Sequence, residues 1–219
     1  GYADGTWNEW HALFDNGRSG WLSEDNGAYV FAFDADAPAD TPQPDALRAG
    51  LRQFPDSGAL NVTLAQFLTR RNKAGQGHAL LKEYIAKHPE EIQASTTLGD
   101  ISVALGKHQE AERLYREVIG RAPRSPLGYT ALAMLYLGQG RQAQAVSVLE
   151  QGLKQSGDAG LFSMLTRQYV ASKHFDKAKA ACEARLREIP NDAVSYDVLG
   201  HIYSIQKMHP QAVEAYSKA

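Results

Sequence analysis

The chain is poor in the features that mark disulfide-rich, membrane-spanning and nucleic-acid-binding proteins. It has one cysteine, Cys182, in 219 residues, so no disulfide can form within the chain. No apolar run approaches the roughly 20 residues that a membrane-spanning helix requires. Lys and Arg number 23 against 25 Asp and Glu, and this balance argues against a nucleic-acid or anionic-membrane surface, which needs a clustered basic excess. The single cysteine leaves the compartment open between cytoplasm and periplasm.

Motifs for catalysis or metal binding are also missing. The seven histidines are scattered and form no His-x-x-x-His or His-Glu-x-x-His pair, so no ligand set has zinc spacing. No phosphate loop or nucleophile elbow follows a strand. Cys182 falls at a predicted buried position, where a small core residue is expected rather than a reactive thiol. The sequence therefore predicts no enzyme activity, no metal and no cofactor.

The most informative feature present is a leucine period. Five leucines recur at a nearly constant spacing of about 34 residues, and a fixed period of this length indicates stacked helix pairs. A small or short residue follows each leucine directly, and a second small residue recurs at a fixed distance further along each unit. These small residues mark where two helices would touch closely. The leucines are Leu64, Leu98, Leu132, Leu165 and Leu199; the small residues are Ala65, Gly99, Ala133, Thr166 and Gly200, then Gly77, Ala111, Ala145, Ala178 and Ala212.

These residues resemble the tetratricopeptide repeat family. The family pattern W/Y-x-x-L-G-x-x-Y…A-x-x-x-F/Y is close to complete in the last repeat, in Tyr196, Leu199, Gly200, Tyr203, Ala212 and Tyr216. The resemblance implies a mainly α fold, a helix-turn-helix solenoid of about five repeats over residues 58–91, 92–125, 126–158, 159–192 and 193–219. Four predicted helix starts follow good N-cap residues, Ser57, Ser125, Asp158 and Asp192. The first repeat departs most from the pattern, because Asn61 replaces the usual aromatic residue and Gly77 the usual alanine.

The segment before the repeats predicts a different structure. Asn16-Gly17 and Asn26-Gly27 lie between apolar runs, and this arrangement favours tight hairpin turns and a small antiparallel β-meander over residues 1–34. Gly20-Trp21-Leu22 before Asn26-Gly27 weakly resembles an uncharacterised bacterial β-domain, which implies no activity. Residues 35–44 are predicted to be an extended acidic Ala/Pro linker. Residues 45–57 are predicted to hold a helix that caps the array.

The two ends of the chain suggest a fragment. Residue 1 is Gly rather than Met, and Ala219 falls inside the second helix of the fifth repeat. Tyr203 and Tyr216 are then expected to be partly uncovered, which predicts self-association through the uncapped C-terminal repeat.

The family resemblance also implies where a partner would bind. In such arrays the first helix of each pair lines a concave groove, so this sequence is expected to bind a protein or peptide partner there. The clamp of Lys, Asn and Arg with which some members hold a chaperone tail is absent. Two functions follow: a non-catalytic scaffold in a bacterial assembly, or a docking and regulatory module of a larger enzyme. The groove residues implied by the register are Gln66, Arg70, Thr96, Asp100, Thr130, Met134, Ser163, Arg167, Asp197 and His201.

Overall fold

A computed structural model describes the backbone of residues 9–13, 19–25, 28–31 and 43–219, with side chains from residue 45 onward. Three strands form an antiparallel sheet in the order β1-β2-β3, and Asp25 of β2 pairs with Ala28 of β3. The strands are β1 Glu9–Leu13, β2 Ser19–Asp25 and β3 Ala28–Phe31. Both predicted Asn-Gly turns, and the linker as far as residue 42, lie outside the described residues.

Eleven α-helices follow within residues 43–219. After α1 they come in pairs, and the first helices of the pairs begin at the five residues where the leucine period places the repeat starts. Within the described part of the chain, no helix is long and apolar enough to cross a membrane. The helices are α1 Gln43–Gln53, α2 Gly58–Arg70, α3 Ala74–Lys87, α4 Ile92–Ala104, α5 His108–Arg121, α6 Pro126–Gly138, α7 Gln142–Ser156, α8 Ala159–Ala171, α9 Phe175–Glu188, α10 Ala193–Ile205 and α11 His209–Tyr216.

The predicted N-caps are confirmed at four of the five first helices. In each, the side-chain oxygen of the residue before the helix accepts a hydrogen bond from a backbone N–H of the first turn, which satisfies a donor that the helix cannot. The acceptors are Ser57 for Leu60, Ser125 for Leu127, Asp158 for Leu161 and Asp192 for Ser195.

The chain divides into two compact units, Gly1–Ile101 and Ser102–Ala219, and the division falls within α4. In the first unit α1 packs on α2, and Leu47 is buried with Leu60, Leu64 and Leu68. Helix α1 begins at Gln43, inside the segment predicted as a linker. Pro44 suits the first turn of a helix, where its missing N–H has no intrahelical partner in any case.

In the second unit each helix from α5 to α11 packs on the next, and the first helix α8 also contacts the first helices α6 and α10. The largest fully buried side chains of this core are aromatic, Tyr115, Tyr129, Tyr136 and Phe162. Cys182 is fully buried among them, and burial raises the pKa of its thiol to about 12. The prediction of a core cysteine is confirmed, because a protonated, inaccessible thiol is unreactive at neutral pH.

The small residues lie at close helix contacts, as predicted. Ala65, Ala111, Ala133, Ala145 and Ala178 are all completely buried. A Cβ added to Gly77 would lie 2.7 Å from the carbonyl oxygen of Ala65, and one added to Gly200 would lie 2.7 Å from the ring of Tyr216. Glycine therefore stands in the first repeat where the family has alanine because α2 and α3 approach too closely there for a methyl group.

The departure at Asn61 also has a structural reason. Tyr129 and Tyr196 occupy the equivalent position in later repeats, and each donates its hydroxyl to the carbonyl of the proline six residues earlier, at 3.1 Å in both cases. Asn61 Nδ2 donates to the carbonyl of Pro55, also six residues earlier and also at 3.1 Å. The asparagine preserves the hydrogen bond that ties the first helix to the preceding turn.

One turn geometry recurs in all five helix pairs. Just after the end of each first helix, one residue adopts a positive φ between 58° and 73°. This left-handed region is open to glycine and costs other residues energy, least for asparagine. The five residues are Asn72, Gly106, Gly140, Lys173 and Lys207.

Candidate protein-interaction surface

The best-defined part of the predicted binding surface lies in the second unit. Helices α6, α8 and α10 stand side by side, and each contributes two predicted residues four positions apart, which share one side of a helix. We call these six residues the first-helix face: Thr130, Met134, Ser163, Arg167, Asp197 and His201.

Several side chains of the first-helix face are free to contact a partner. Met134 is 60% exposed, whereas most large apolar side chains of the unit are buried. Arg167, Asp197 and His201 are exposed, and Thr130 and Ser163 are half-buried. Within residues 45–219, Arg167 and Asp197 form no salt bridge, so no side chain of that range neutralises their charges.

The predicted binding residues of the first unit differ in their exposure. Arg70 and Asp100 are exposed and Gln66 is half-buried. Thr96 is buried, and its hydroxyl donates to the carbonyl of Ile92 at 2.8 Å. The donor of this hydroxyl is therefore satisfied within its own helix, and the buried side chain has little surface for contact with a partner.

A polar cluster that the sequence analysis missed lies around Tyr136. Its hydroxyl donates to Glu112 Oε1 at 2.7 Å, and Arg116 Nη2 donates to the same oxygen at 3.0 Å. Arg141 Nη1 donates to Glu112 Oε2 at 3.1 Å, and its guanidinium lies 4.1 Å from the centre of the Tyr136 ring. The hydrogen bond from Tyr136, with those from the two arginines, lowers the pKa of the Glu112 carboxyl against the opposing effect of burial. Glu112 therefore stays ionised as the centre of the cluster.

A second tyrosine occupies the equivalent position of the next repeat. Tyr169 is buried, and its hydroxyl donates to the carboxylate of Glu150. Burial, together with this bond, raises the pKa of Tyr169. An open depression of about 470 Å³ lies over the pair, and its lining includes Gln142, Val146, Glu150, Tyr169, Ser172, His174 and Lys177. No sequence motif marks this place, because the depression is formed by α7, α8 and α9 together.

The histidines and acidic residues do not form a metal site in the part of the chain that the structure describes, since no three His, Cys, Asp or Glu side chains there could share an ion. The first-helix face and the polar cluster around Tyr136 contain an exposed methionine, arginines and a tyrosine, residue types that are common in binding surfaces.

Paired helices that repeat at a nearly constant spacing define an α-helical repeat protein. Residues 102–168 match the tetratricopeptide repeat family model. The resemblance to this family that the repeat pattern predicts is confirmed over these residues.

Solved structures share this fold at low sequence identity. MamA is 17% identical, with a TM-score of 0.53, over 71% of this chain and 91% of that one. MamA 41-end from Desulfovibrio magneticus RS-1 is 20% identical, with a TM-score of 0.51, over 73% and 91%. A tetratricopeptide repeat protein from Parabacteroides merdae ATCC 43184 is 16% identical, with a TM-score of 0.53, over 80% and 70%. No curated protein matches the chain in sequence.

Proposed function

We propose that the chain is a non-catalytic scaffold that binds an extended segment of a partner protein on the first-helix face, as part of a bacterial assembly. The observation that carries this proposal is the exposure of Met134 beside unpaired charges. Burying such an apolar side chain against a partner is favourable, and methionine adapts to partners of different shape.

The charges on the same face indicate the chemistry of the partner. Arg167 on α8 has no acidic partner in the described chain and presents a planar guanidinium, which can grip a carboxylate with two hydrogen bonds. We infer a segment with an apolar side chain for Met134 and an acidic group for Arg167. For the first unit by itself, the proposed contact residues are Gln66, Arg70 and Asp100.

Site-specific cross-linking tests the proposal directly. A photoactivatable amino acid at position 134 should capture one dominant partner, and the site of attachment should map to a single segment of that partner. The matched control places the same group at Lys154, which is exposed on the second helix α7. Equal capture of the same segment from both positions would contradict binding on the first-helix face.

A docking module of a larger enzyme is the alternative function. It uses the same face but predicts that the captured segment belongs to a catalytic chain, whereas the scaffold hypothesis predicts a structural component of an assembly. Mass spectrometry of the captured segment distinguishes the two.

Self-association is a further role that we propose for the last repeat. Val213 and Tyr216 of α11 are 70% and 45% exposed, and neighbouring exposed apolar groups promote association. Sedimentation should show concentration-dependent oligomers that Val213→Lys suppresses. A strict monomer at high concentration would contradict this role.

The N-terminal strands belong to the first compact unit, in which β3 contacts α2. We propose that residues 1–34 form a β-meander that is stable only when packed against another surface, because so small a sheet is marginal alone, and that α2 is part of this surface. Deleting residues 1–34 should then lower the melting temperature of the first unit. An unchanged melting temperature would contradict packing of the meander on α2.

A further inference from the structure

The chemistry of the first-helix face changes from one helix to the next. Met134 on α6 is apolar and 60% exposed, whereas Arg167 on α8 is cationic and Asp197 on α10 is anionic, and both are exposed. Within residues 45–219 neither charge forms a salt bridge, and this includes Asp197 with His201 on the same helix. Because α8 contacts both α6 and α10, the order across the face is apolar, positive, negative.

Two hydroxyls of the same face are available to the backbone of a partner. Thr130 on α6 and Ser163 on α8 are half-buried, and neither hydroxyl has a hydrogen-bond partner within residues 45–219. Thr96, one repeat before Thr130, instead donates to its own helix. A helical segment satisfies its own backbone groups, whereas an extended segment presents them to its surroundings. The two hydroxyls therefore favour an extended partner segment.

The distance between neighbouring helices indicates which extended conformation fits. The axes of packed helices lie about 8–10 Å apart. A polyproline II helix has three residues per turn and rises about 3.1 Å per residue, so every third side chain lies on one side, at intervals of about 9 Å. A β-strand places every second side chain on one side, at intervals of about 7 Å. Of the two, the polyproline II helix matches the distance from one helix to the next.

We propose that the segment bound on the first-helix face is a polyproline II helix that carries an apolar, an acidic and a basic side chain at every third position. The apolar group packs on Met134, the carboxylate pairs with Arg167, and the cation pairs with Asp197. The face fixes the order of the three groups but not the direction of the chain, so the segment is the same pattern read from either end. This inference rests on the function proposed above and names the chemistry of its partner.

The probe that tests the pattern is the peptide Leu-Pro-Pro-Glu-Pro-Pro-Lys with both ends blocked, in which proline favours the polyproline II helix. Its matched control, Leu-Pro-Pro-Lys-Pro-Pro-Glu, has the same composition but exchanges the two charges. In a nuclear magnetic resonance titration of the whole chain, the probe should shift the methyl signal of Met134 in a saturable way. The control should bind at least about tenfold more weakly, because like charges then face each other. Equal affinities would overturn the proposal.

Exchanging the charges of the protein tests the pairing itself. Arg167→Asp combined with Asp197→Arg should prefer the control peptide over the probe, because both ion pairs are then restored in the opposite order. The matched control variant is Lys154→Glu combined with Glu183→Lys, which exchanges two exposed charges of the second helices and should keep the preference for the probe. An unchanged preference in the first variant would overturn the proposal.

Two further peptides test the spacing. Leu-Pro-Glu-Pro-Lys has one proline between the groups, and Leu-Pro-Pro-Pro-Glu-Pro-Pro-Pro-Lys has three. Both should bind more weakly than the probe, because their side chains do not keep the distance between neighbouring helices. Equal or tighter binding of either peptide would show that the segment does not contact successive helices at every third residue.

Failure of this inference can be distinguished from failure of the scaffold function. If cross-linking at position 134 captures one partner segment that lacks the pattern, the scaffold function holds and this inference is wrong. If the control position Lys154 captures the same segment equally, binding on the first-helix face is contradicted, and the charge preference of the peptides still decides the pattern. A captured segment that follows the pattern supports both.

Discussion

Arg185 Nε lies 3.0 Å from Asp192 Oδ1, and both side chains are largely buried at the junction of the last two repeats. Asp192 is also the N-cap of α10, where Oδ2 accepts hydrogen bonds from the backbone N–H and the hydroxyl of Ser195. The guanidinium of Arg185 lies 4.7 Å from the centre of the Phe162 ring. One carboxylate therefore links α9 to α10 and begins the next repeat.

The ion pair between Arg185 and Asp192 predicts that the free energy of unfolding decreases in acid. Burial alone would raise the pKa of Asp192, but the hydrogen bonds from Ser195 and the ion pair with Arg185 lower it below the usual value. A carboxyl whose folded pKa is lowered stabilises the protein above its unfolded pKa of about 3.9, and the contribution disappears as pH falls through the folded pKa. Asp192→Asn should reduce the free energy of unfolding at pH 7, by roughly 1–3 kcal/mol.

The measurement is urea unfolding of both proteins from pH 7 down to pH 3. The difference between them should shrink as pH falls, because protonation removes the same charge from the unaltered protein. A difference that stays constant across this range would contradict the ion pair as its source. Glu183→Gln, an exposed substitution on α9, is the control and should change little at any pH.

Two glycines of one helix should respond in opposite ways to alanine. Gly75→Ala should stabilise the protein by roughly 0.5–1 kcal/mol, since a Cβ there meets nothing within 4 Å and alanine favours the helix. Gly77→Ala should destabilise it despite the same helix preference, because the new methyl group would press on the carbonyl of Ala65. Thermal melts of both variants measure the two changes in stability. A stabilised Gly77→Ala variant would show that α2 and α3 can separate at no cost.

Overpacking at Ala145 tests the same contact in the third repeat. Ala145 is completely buried, and Ala145→Leu should cost roughly 1–3 kcal/mol because the larger side chain forces the helices apart. The matched control is Ala143→Leu, at an exposed position of the same helix, which should cost little. Chemical denaturation measures both, and an unchanged midpoint for Ala145→Leu would contradict the packing register.

The first-helix face should tolerate substitution without loss of stability. Met134 and Arg167 are exposed, so Met134→Ala combined with Arg167→Ala should leave the melting temperature unchanged. Binding of the partner segment should weaken at least tenfold, about 1.4 kcal/mol. Isothermal titration with the segment measures the loss.

The control for this double variant is a pair of substitutions on second helices that leaves the core unchanged. Glu112 is unsuitable, because it binds Tyr136, Arg116 and Arg141. Lys154→Ala combined with Glu183→Ala changes two exposed positions of α7 and α9 and should leave binding intact. An equal loss from this pair would show that the partner uses the second helices.

Replacing a non-glycine residue of a left-handed turn by glycine should stabilise the protein. Lys173 holds a φ of 60°, a conformation that costs a residue with a Cβ roughly 1–2 kcal/mol. Lys173→Gly should therefore stabilise the protein by roughly 0.5–1 kcal/mol, after the extra freedom of glycine in the unfolded chain is counted. Gly140→Lys, at the equivalent turn, should have the opposite effect. Differential scanning calorimetry compares the two, and parallel shifts would contradict the explanation.

The helix pairs could be predicted from the sequence because their signals are local or periodic. An N-cap such as Ser125 acts within a few residues of the helix boundary that it sets, and the leucines recur at one spacing along the chain. The burial of Thr96 could not be predicted in this way, because position within a repeat does not show whether a hydroxyl bonds to its own helix.

The polar cluster around Tyr136 was missed for a different reason. Glu112 lies on α5 and Tyr136 on α6, whereas Arg141 directly precedes α7, and no spacing along the chain links these three residues. Gly77 and Asn61 were recognised as departures from the family pattern, but their compensating geometry appears only when the neighbouring backbone carbonyls are in place.

The recurring turn of positive φ also bears on the order in which the array opens. The pairs α8–α9 and α10–α11 close through Lys173 and Lys207, whereas α6–α7 closes through Gly140. Strain held by lysine lowers the free energy of local opening, so amide hydrogen exchange should be fastest in the last two pairs. Arg167, Asp197 and His201 belong to those pairs, so a ligand held by them would slow exchange most where the unliganded chain exchanges fastest.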